Sequence, residues 1–311
     1  MNAVLLCPGQ GAQRVGMGKD LAERFPAAKE VFAAVDRALG VPLSRLAFEG
    51  PEGELTLTHN AQPAILTHTL AVHAVVRDAL RPVAAAGHSL GEYSAYVTAG
   101  SLDLEDAARL VRRRGELMLE AGQRRPGAMA AVIGLSGDAV AQACQEASGQ
   151  GEVAVAANLN APDQTVISGD PAAVERAGAG CKAAGAKRVM PLKVSGAFHS
   201  PLIEPARAGL ETELTQVTFA DPAFPVVANA SAAPVRDAGT ARRLLSQQLT
   251  APVRWVEGMR EAVKLAGEGV TFIEMGPGNV LAGLLKRIVP EARAVALGTA
   301  DEVERFLEQA A

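Results

Sequence analysis

The sequence predicts an α/β fold. It is a large α/β-hydrolase-like domain built on a parallel sheet, with a small ferredoxin-like (βαββαβ) domain inserted into it. Three observations predict this. Residues 83–86 form a short apolar run fit for a buried strand, Gly87-His88-Ser89-Leu90-Gly91 follows as G-x-S-x-G, and the pattern turns helical over residues 92–99. Residues 124–194 read strand, helix, strand, strand, helix, strand. On either side of that stretch strands alternate with helices, as in a parallel sheet. The expected large domain therefore comprises residues 1–123 and 195–311, and the insert residues 124–194.

The serine turn is the first candidate for chemistry. A strand-to-helix turn this tight leaves no room for side chains two residues from Ser89, and both positions are glycine. The hydroxyl is forced to project from the sheet edge, and the N–H of Leu90 falls at a helix N-terminus, aimed where an oxyanion forms.

The chain has 311 residues, 49% hydrophobic, and a net charge of −4, enough for one large or two smaller cores. A near-balanced charge argues against nucleic acid as the main partner. No apolar run approaches the ~18 residues of a membrane span. The opening Met1-Asn2-Ala3-Val4-Leu5-Leu6-Cys7 reads as a first strand, not a signal peptide. Cys7, Cys144 and Cys181 are far apart and lack C-x-x-C spacing. Neither disulfides nor a thiolate metal site is indicated, so a reducing cytoplasm is the expected compartment and each thiol is expected to be buried.

In order along the chain, residues 3–7 read as a strand. Pro8-Gly9-Gln10-Gly11-Ala12-Gln13 is a glycine-rich loop with neither the Lys-Ser/Thr of a nucleotide loop nor dinucleotide spacing. It reads either as a tight turn or as backbone that approaches a substrate closely, with Gln10 at its tip. Helices are expected from about Gly18 and over 28–39, then a loop-rich connection over 43–59. Asn60 is expected to cap a helix with Pro63 in its first turn, running to about Leu80. His59, His68 and His73 fall there, on no common metal-binding face. Residues 103–121 form an amphipathic helix whose apolar stripe is Ala107, Leu110, Val111, Leu117, Met118 and Ala121. Arg114 lies inside that stripe. A buried guanidinium demands an anion, either an internal carboxylate or a substrate carboxylate held by two parallel hydrogen bonds.

Within the insert, strands are expected over 128–135, 153–158, 164–168 and 187–193, and helices over 138–147 and 172–184. Residues 195–201 then form a loop containing His199, followed by a helix from about Leu202. Strands at 224–229, 270–275 and 294–297 and helices at 241–249, 253–266, after Gly276-Pro277-Gly278-Asn279 and at the terminus complete the pattern. His199 is the best base for Ser89, because His88 adjoins the serine on a turn that points neighbours apart. No acid between the two is convincingly placed, which leaves a Ser–His dyad with some other group orienting the imidazole.

These residues, taken together, resemble the malonyl-CoA:acyl-carrier-protein transacylases. The motifs are Pro8-Gly9-Gln10-Gly11, Gly87-His88-Ser89-Leu90-Gly91-Glu92-Tyr93-Ser94-Ala95, Arg114-Gly115, Gly127-Ala128-Met129-Ala130, Ala161-Pro162, His199 and Gly276-Pro277-Gly278, in that order over almost the whole chain. The chain looks like the stand-alone bacterial enzyme of type II fatty acid synthesis. The resemblance implies Ser89 as nucleophile, His199 as base, Arg114 as clamp on the malonyl carboxylate, the N–H groups of Gln10 and Leu90 as oxyanion hole, and the carbonyl of Gln248 as the group orienting His199. Ala197-Phe198-His199 also resembles the malonyl-selecting form of related polyketide acyltransferases, although Gly196 stands where those often carry a histidine.

The implied partners are malonyl-CoA, with the coenzyme A thioester as substrate and no bound cofactor or metal, and acyl carrier protein. A monomer is expected. Carrier proteins are acidic by the same resemblance, so a net-negative chain needs a local basic patch to dock one. Lys187-Arg188, opening the last strand of the insert, and Lys286-Arg287, on the helix after Gly276-Pro277-Gly278, are the candidates. A serine hydrolase such as a thioesterase, and a non-catalytic carrier-docking subunit, are the alternative functions.

Overall fold

The computed structural model describes residues 1–194 and 196–310. Ser195, first in the expected 195–201 loop, and Ala311 lie outside the described residues. The first strand, β1 (Asn2–Cys7), alternates its side chains between two buried faces. Ala3, Leu5 and Cys7 enter one core cluster and Val4 and Leu6 another, the signature of a central strand covered by helices on both sides. Helices α1 (Lys19–Arg24) and α2 (Pro26–Leu39) follow as expected.

The expected loop over 43–59 is instead two short helices, α3 (Leu43–Glu49) and α4 (Glu52–Thr56), and α5 (Thr58–Val76) begins earlier than expected. Asn60 is not its cap. The amides of Asn60 and Ala61 already bond the Leu57 carbonyl, and the Asn60 amide group donates back to the Glu54 carbonyl at 2.8 Å. Pro63 therefore sits inside the helix, where it cannot donate to the carbonyl of His59. Arg112 Nη1 takes that carbonyl at 3.3 Å, replacing the missing bond from outside. A 3₁₀ turn (Arg77–Ala79) ends the segment.

The strand β2 (Arg81–Gly87), the helix α6 (Gly91–Thr98) and the long helix α7 (Leu104–Arg124) come next, the last capped by the Asp103 carboxylate on the Glu105 amide at 2.8 Å. A smaller unit follows: β3 (Ala128–Ile133), α8 (Gly137–Ala147), β4 (Ala154–Ala161), β5 (Gln164–Gly169), α9 (Pro171–Ala183) and β6 (Arg188–Pro191). Its four strands are antiparallel in the order β4-β5-β3-β6, the ferredoxin-like arrangement. Ala130 and Val132 pack under α8 and α9, while Met129, Ala131 and Val166 on the opposite face join the main core.

After a 3₁₀ turn (Pro201–Ile203), α10 (Glu204–Thr215) leads to β7 (Val226–Val227), β8 (Pro234–Val235), α11 (Ala238–Gln248), α12 (Trp255–Ala266), β9 (Thr271–Met275), α13 (Val280–Ile288), β10 (Arg293–Leu297) and α14 (Ala300–Ala310). The six-stranded sheet runs β10-β9-β1-β2-β7-β8, parallel except for the β7–β8 hairpin. The strand expected over 224–229 is thus two residues long. The helix expected from 253 starts at Trp255, because Val253 is drawn into a β-bridge: its N–H meets the Ala157 carbonyl and its carbonyl accepts from Leu159. That bridge ties the small sheet to the loop after α11. Cys7, Cys144 and Cys181 are buried and free, as expected.

Candidate active site

A cleft of about 340 Å³ lies between the small sheet and the loops after β1 and β2, and the serine turn opens into it. A Cβ at Gly87 would stand 1.9 Å from the Gly91 carbonyl oxygen, and one at Gly91 would stand 2.1 Å from that of Cys7. The turn closes only because both are glycine. Ser89 between them adopts φ 52°, a left-handed conformation costly for a side-chain-bearing residue. The loop after β1 presses on the same turn: a Cβ at Gly9 would lie 2.6 Å from the His88 carbonyl oxygen. Gln10 and Leu90 both line the cleft with Ser89. Gln10 is tied at its side chain to Thr58 Oγ1 at 3.2 Å.

Ser89 Oγ lies 2.8 Å from His199 Nε2, and His199 Nδ1 lies 2.9 Å from the main-chain carbonyl oxygen of Gln248. A carbonyl can only accept, so Nδ1 carries the proton and Nε2 is the lone-pair nitrogen that faces the hydroxyl. His199 is itself in a left-handed conformation, φ 55°. Burial and then the positive charge of Arg114 push its pKa down to about 3, against the opposing Gln248 bond. His88 points away, its Nε2 2.8 Å from Asn160 Oδ1 on β4.

Arg114 is 1% exposed. Its Nη1 donates to Gln62 Oε1 at 2.6 Å, and its Nη2 to Ser89 Oγ at 2.9 Å and to Gln248 Oε1 at 3.0 Å. All three acceptors are neutral, and among the described residues Nε has no partner. The neighbours Arg112 and Arg113 take the carboxylates of Glu116 and Glu120 on the helix surface. An internal carboxylate bonded to Arg114, one of the two partners the sequence left open, is absent among the described residues.

Four residues of the site carried no readable signal. Gln62 faces Arg114 from α5. Asn229, just beyond β7, accepts the Ser89 N–H on Oδ1 and donates from Nδ2 to the Gly87 carbonyl, both at 2.7 Å. Asn160 holds His88. Glu92, on the first turn of α6, is fully buried, and one of its oxygens accepts from the Asn229 main-chain N–H at 2.9 Å and from Gln248 Nε2 at 2.8 Å. Burial pushes its pKa up to about 7, against those two bonds and the charge of Arg114. Of the four, only Glu92 stood in a motif named in the sequence, the one that runs on from the glycine-flanked serine, and it was given no role there.

The four basic docking candidates lie outside the cleft lining, which includes Lys193 instead. Arg287 is paired with Asp163 and donates to Gln164 Oε1 at 2.5 Å, bridging α13 to the β4–β5 turn. Among the described residues no group of His, Cys, Asp or Glu is arranged to hold a metal ion, and no helix is long and apolar enough to cross a membrane.

A strained serine hydroxyl thus meets a buried imidazole and a buried guanidinium. The family model for the acyl transferase domain matches residues 4–307. The malonyl CoA-acyl carrier protein transacylases of Bacillus subtilis (strain 168) and Escherichia coli (strain K12) are each 45% identical, covering 97% of this chain and 95% and 97% of their own. The crystal structure of an acyl carrier protein S-malonyltransferase from Vibrio cholerae superposes with a TM-score of 0.92 at 43% identity, over 98% of this chain and 99% of that one. A malonyl-transacylase in complex with a type II PKS acyl-carrier protein matches at 0.93 and 43%, over 99% of both chains. The chain belongs to the acyl transferase family and, within it, to the malonyl CoA-acyl carrier protein transacylases.

Proposed function

We propose that the chain transfers a malonyl group from malonyl-CoA to the phosphopantetheine thiol of acyl carrier protein, in fatty acid biosynthesis, through a malonyl ester on Ser89. His199 Nε2 takes the Ser89 proton as Oγ attacks the thioester carbonyl. The N–H groups of Gln10 and Leu90 receive the oxyanion, each such donor being worth roughly 10²–10³ in rate. The C–S bond breaks, the proton on His199 passes to the departing coenzyme A sulfur, and the ester remains. The carrier thiol then gives its proton to the same imidazole, attacks the ester, and Ser89 Oγ leaves with that proton. The chemistry needs no bound cofactor.

The observation that carries the reading is Arg114. It is a buried cation at the nucleophile whose direct hydrogen-bond acceptors are all neutral, with Glu92 the nearby carboxylate but held off by Gln248, so a carboxylate-bearing acyl group supplies the anion that none of its direct partners is. The carbonyl that orients His199 sets the site apart from a hydrolase triad, where a carboxylate does this. Residues 1–123 and 195–311 act in this reading as one acyltransferase domain. Residues 124–194 are an insert walling the cleft, and the basic pairs Lys187-Arg188 and Lys286-Arg287 receive the carrier protein. Three free thiols suit a reducing cytoplasm.

Mass spectrometry of the intact protein after mixing with malonyl-CoA tests the reading. A malonyl adduct on Ser89, discharged by carrier protein far faster than by water, is expected. An adduct lost to water at the same rate would mean a thioesterase, and no adduct would mean a docking subunit.

A further inference from the structure

The geometry points to Glu92 as the positioning residue that, acting through Gln248, holds both the base and the guanidinium against Ser89. The inference rests on the proposed roles of Ser89, His199 and Arg114. Gln248 occupies the centre of the site. Its main-chain oxygen takes His199 Nδ1–H at 2.9 Å, its Oε1 takes Arg114 Nη2 at 3.0 Å, and its Nε2 donates to the Ser89 carbonyl at 2.9 Å. A glutamine amide can turn over, and in the reversed sense its NH₂ would face the guanidinium, donor against donor. Glu92, at 2.8 Å the shortest of the three acceptors around Nε2, prevents the reversal together with the Ser89 carbonyl and Asn229 Oδ1. The Glu92 oxygen that already accepts the Asn229 N–H is an acceptor, so Nε2 must face it, at 2.8 Å, and Oε1 is left for Arg114.

The same Glu92 oxygen accepts the Asn229 N–H, and Asn229 in turn holds the turn at Ser89 N and Gly87 O. One acid thus anchors both residues that brace the nucleophile, the base and the cation. A group that only filled space there would be apolar. Glu92 is instead a buried carboxylate with its second oxygen unpartnered among the described residues, an arrangement that costs stability. Its place on the first turn of α6 favours the negative charge.

The test compares Glu92→Leu, of similar bulk without an acceptor, with Glu92→Gln, whose carbonyl can still meet Gln248 Nε2. Both are assayed for malonyl and acetyl transfer, with wild-type adduct formation measured first so that failure of the underlying reading shows separately. Glu92→Leu is expected to lower kcat for malonyl transfer by roughly 10–100-fold, the usual cost of removing a supporting partner. It is also expected to lower the malonyl-to-acetyl ratio severalfold, because Arg114 loses its aim as well as His199. Glu92→Gln restores most of both. If Glu92→Leu does not fold, Glu92→Asp keeps the charge but falls short by one methylene, and the same fall in ratio is expected. An unchanged ratio in either variant, with both substrates declining alongside Tm, would overturn the proposal, as would a Glu92→Gln enzyme as impaired as Glu92→Leu.

Discussion

Arg114 Nη2 and His199 Nε2 reach the same atom, Ser89 Oγ, at 2.9 and 2.8 Å. The cation and the base therefore act on one hydroxyl from two sides. A guanidinium has no lone pair to take a proton, so only the imidazole can deprotonate the serine. In the proposed reaction the guanidinium contributes charge and direction toward the carboxylate of the incoming acyl group.

Arg114→Ala is expected to cut malonyl transfer hardest. Removing one partner of a buried charge pair costs about 3–5 kcal/mol, roughly 10²–10³-fold or more in kcat/KM. Acetyl transfer, whose acyl group has no carboxylate, should fall far less, so the malonyl-to-acetyl ratio drops. Steady-state assays with both thioesters check this. A ratio equal to wild type would mean that Arg114 only braces Gln62 and Gln248.

His199 sets the pH behaviour. Burial and then the charge of Arg114 push its pKa down to about 3, so the imidazole stays neutral far into acid. The kcat/KM profile should show no fall at the usual histidine value near 6.5 on account of this residue. The linked effect on stability has the opposite look. An unfolded His199 takes up a proton below about 6.5 while the folded one does not, so its contribution to stability is lost as pH falls from there towards 3. His199→Ala should lose roughly 10²–10⁴ in acylation rate and should be less sensitive to acid unfolding. Stopped-flow acylation and melts from pH 8 to 4 measure both.

Gly91→Ala places a methyl 2.1 Å from the Cys7 carbonyl oxygen. Backbone cannot yield there without moving β1 against the serine turn. The variant should lose at least the ~1–3 kcal/mol of an overpacked site and form no acyl-enzyme. Gly283→Ala is the control. It lies inside α13 with open space around its Cβ, and should gain up to ~1 kcal/mol of helix stability with turnover unchanged. Thermal melts and the mass-spectrometric adduct separate the two.

Replacing Lys187, Arg188, Lys286 and Arg287 by alanine should raise KM for acyl carrier protein and flatten its salt dependence. Malonyl-Ser89 formation from malonyl-CoA should change much less. Arg287 also pairs with Asp163, joining α13 to the β4–β5 turn. Both groups are partly exposed, so that pair is worth at most ~1 kcal/mol. Arg287→Ala alone should therefore leave Tm nearly unchanged. Equal losses in both half-reactions for the fourfold variant would move carrier docking elsewhere.

The site divides into parts that were legible along the chain and parts that were not. Ser89 was legible because its constraint is local: two glycines within two residues, a strand before and a helix after. Arg114 was legible because helical periodicity alone puts it on the buried face of α7. The insert was legible from its order of strands and helices. The short helices α3 and α4 were missed, since a run of one or two turns leaves little periodicity to read. The start of α5 was misplaced because Pro63 sits mid-helix rather than in the first turn, its freed His59 carbonyl answered by Arg112, which lies 49 residues away on another helix. The Leu90 N–H was legible from its place at a helix N-terminus and Gln10 from its place at the tip of a glycine-rich loop, whereas the role of Gln248 came from family likeness and not from any pattern around it.

Residue spacing by itself pointed to the candidate groups and to the helix face or turn that carries each. It could not set their mutual geometry. Glu92 meets Asn229 and Gln248 across 137 and 156 residues, and Ser89 meets His199 across 110. Such pairs leave no mark on local periodicity, because they exist only once two sheets have packed and water has been expelled. The tertiary structure alone decided that Arg114 would find neutral acceptors, that a main-chain carbonyl would orient His199, and that a buried carboxylate would stand behind both. The physical reason is that burial makes every unmatched donor and charge expensive, and which partner answers each is settled by packing in three dimensions.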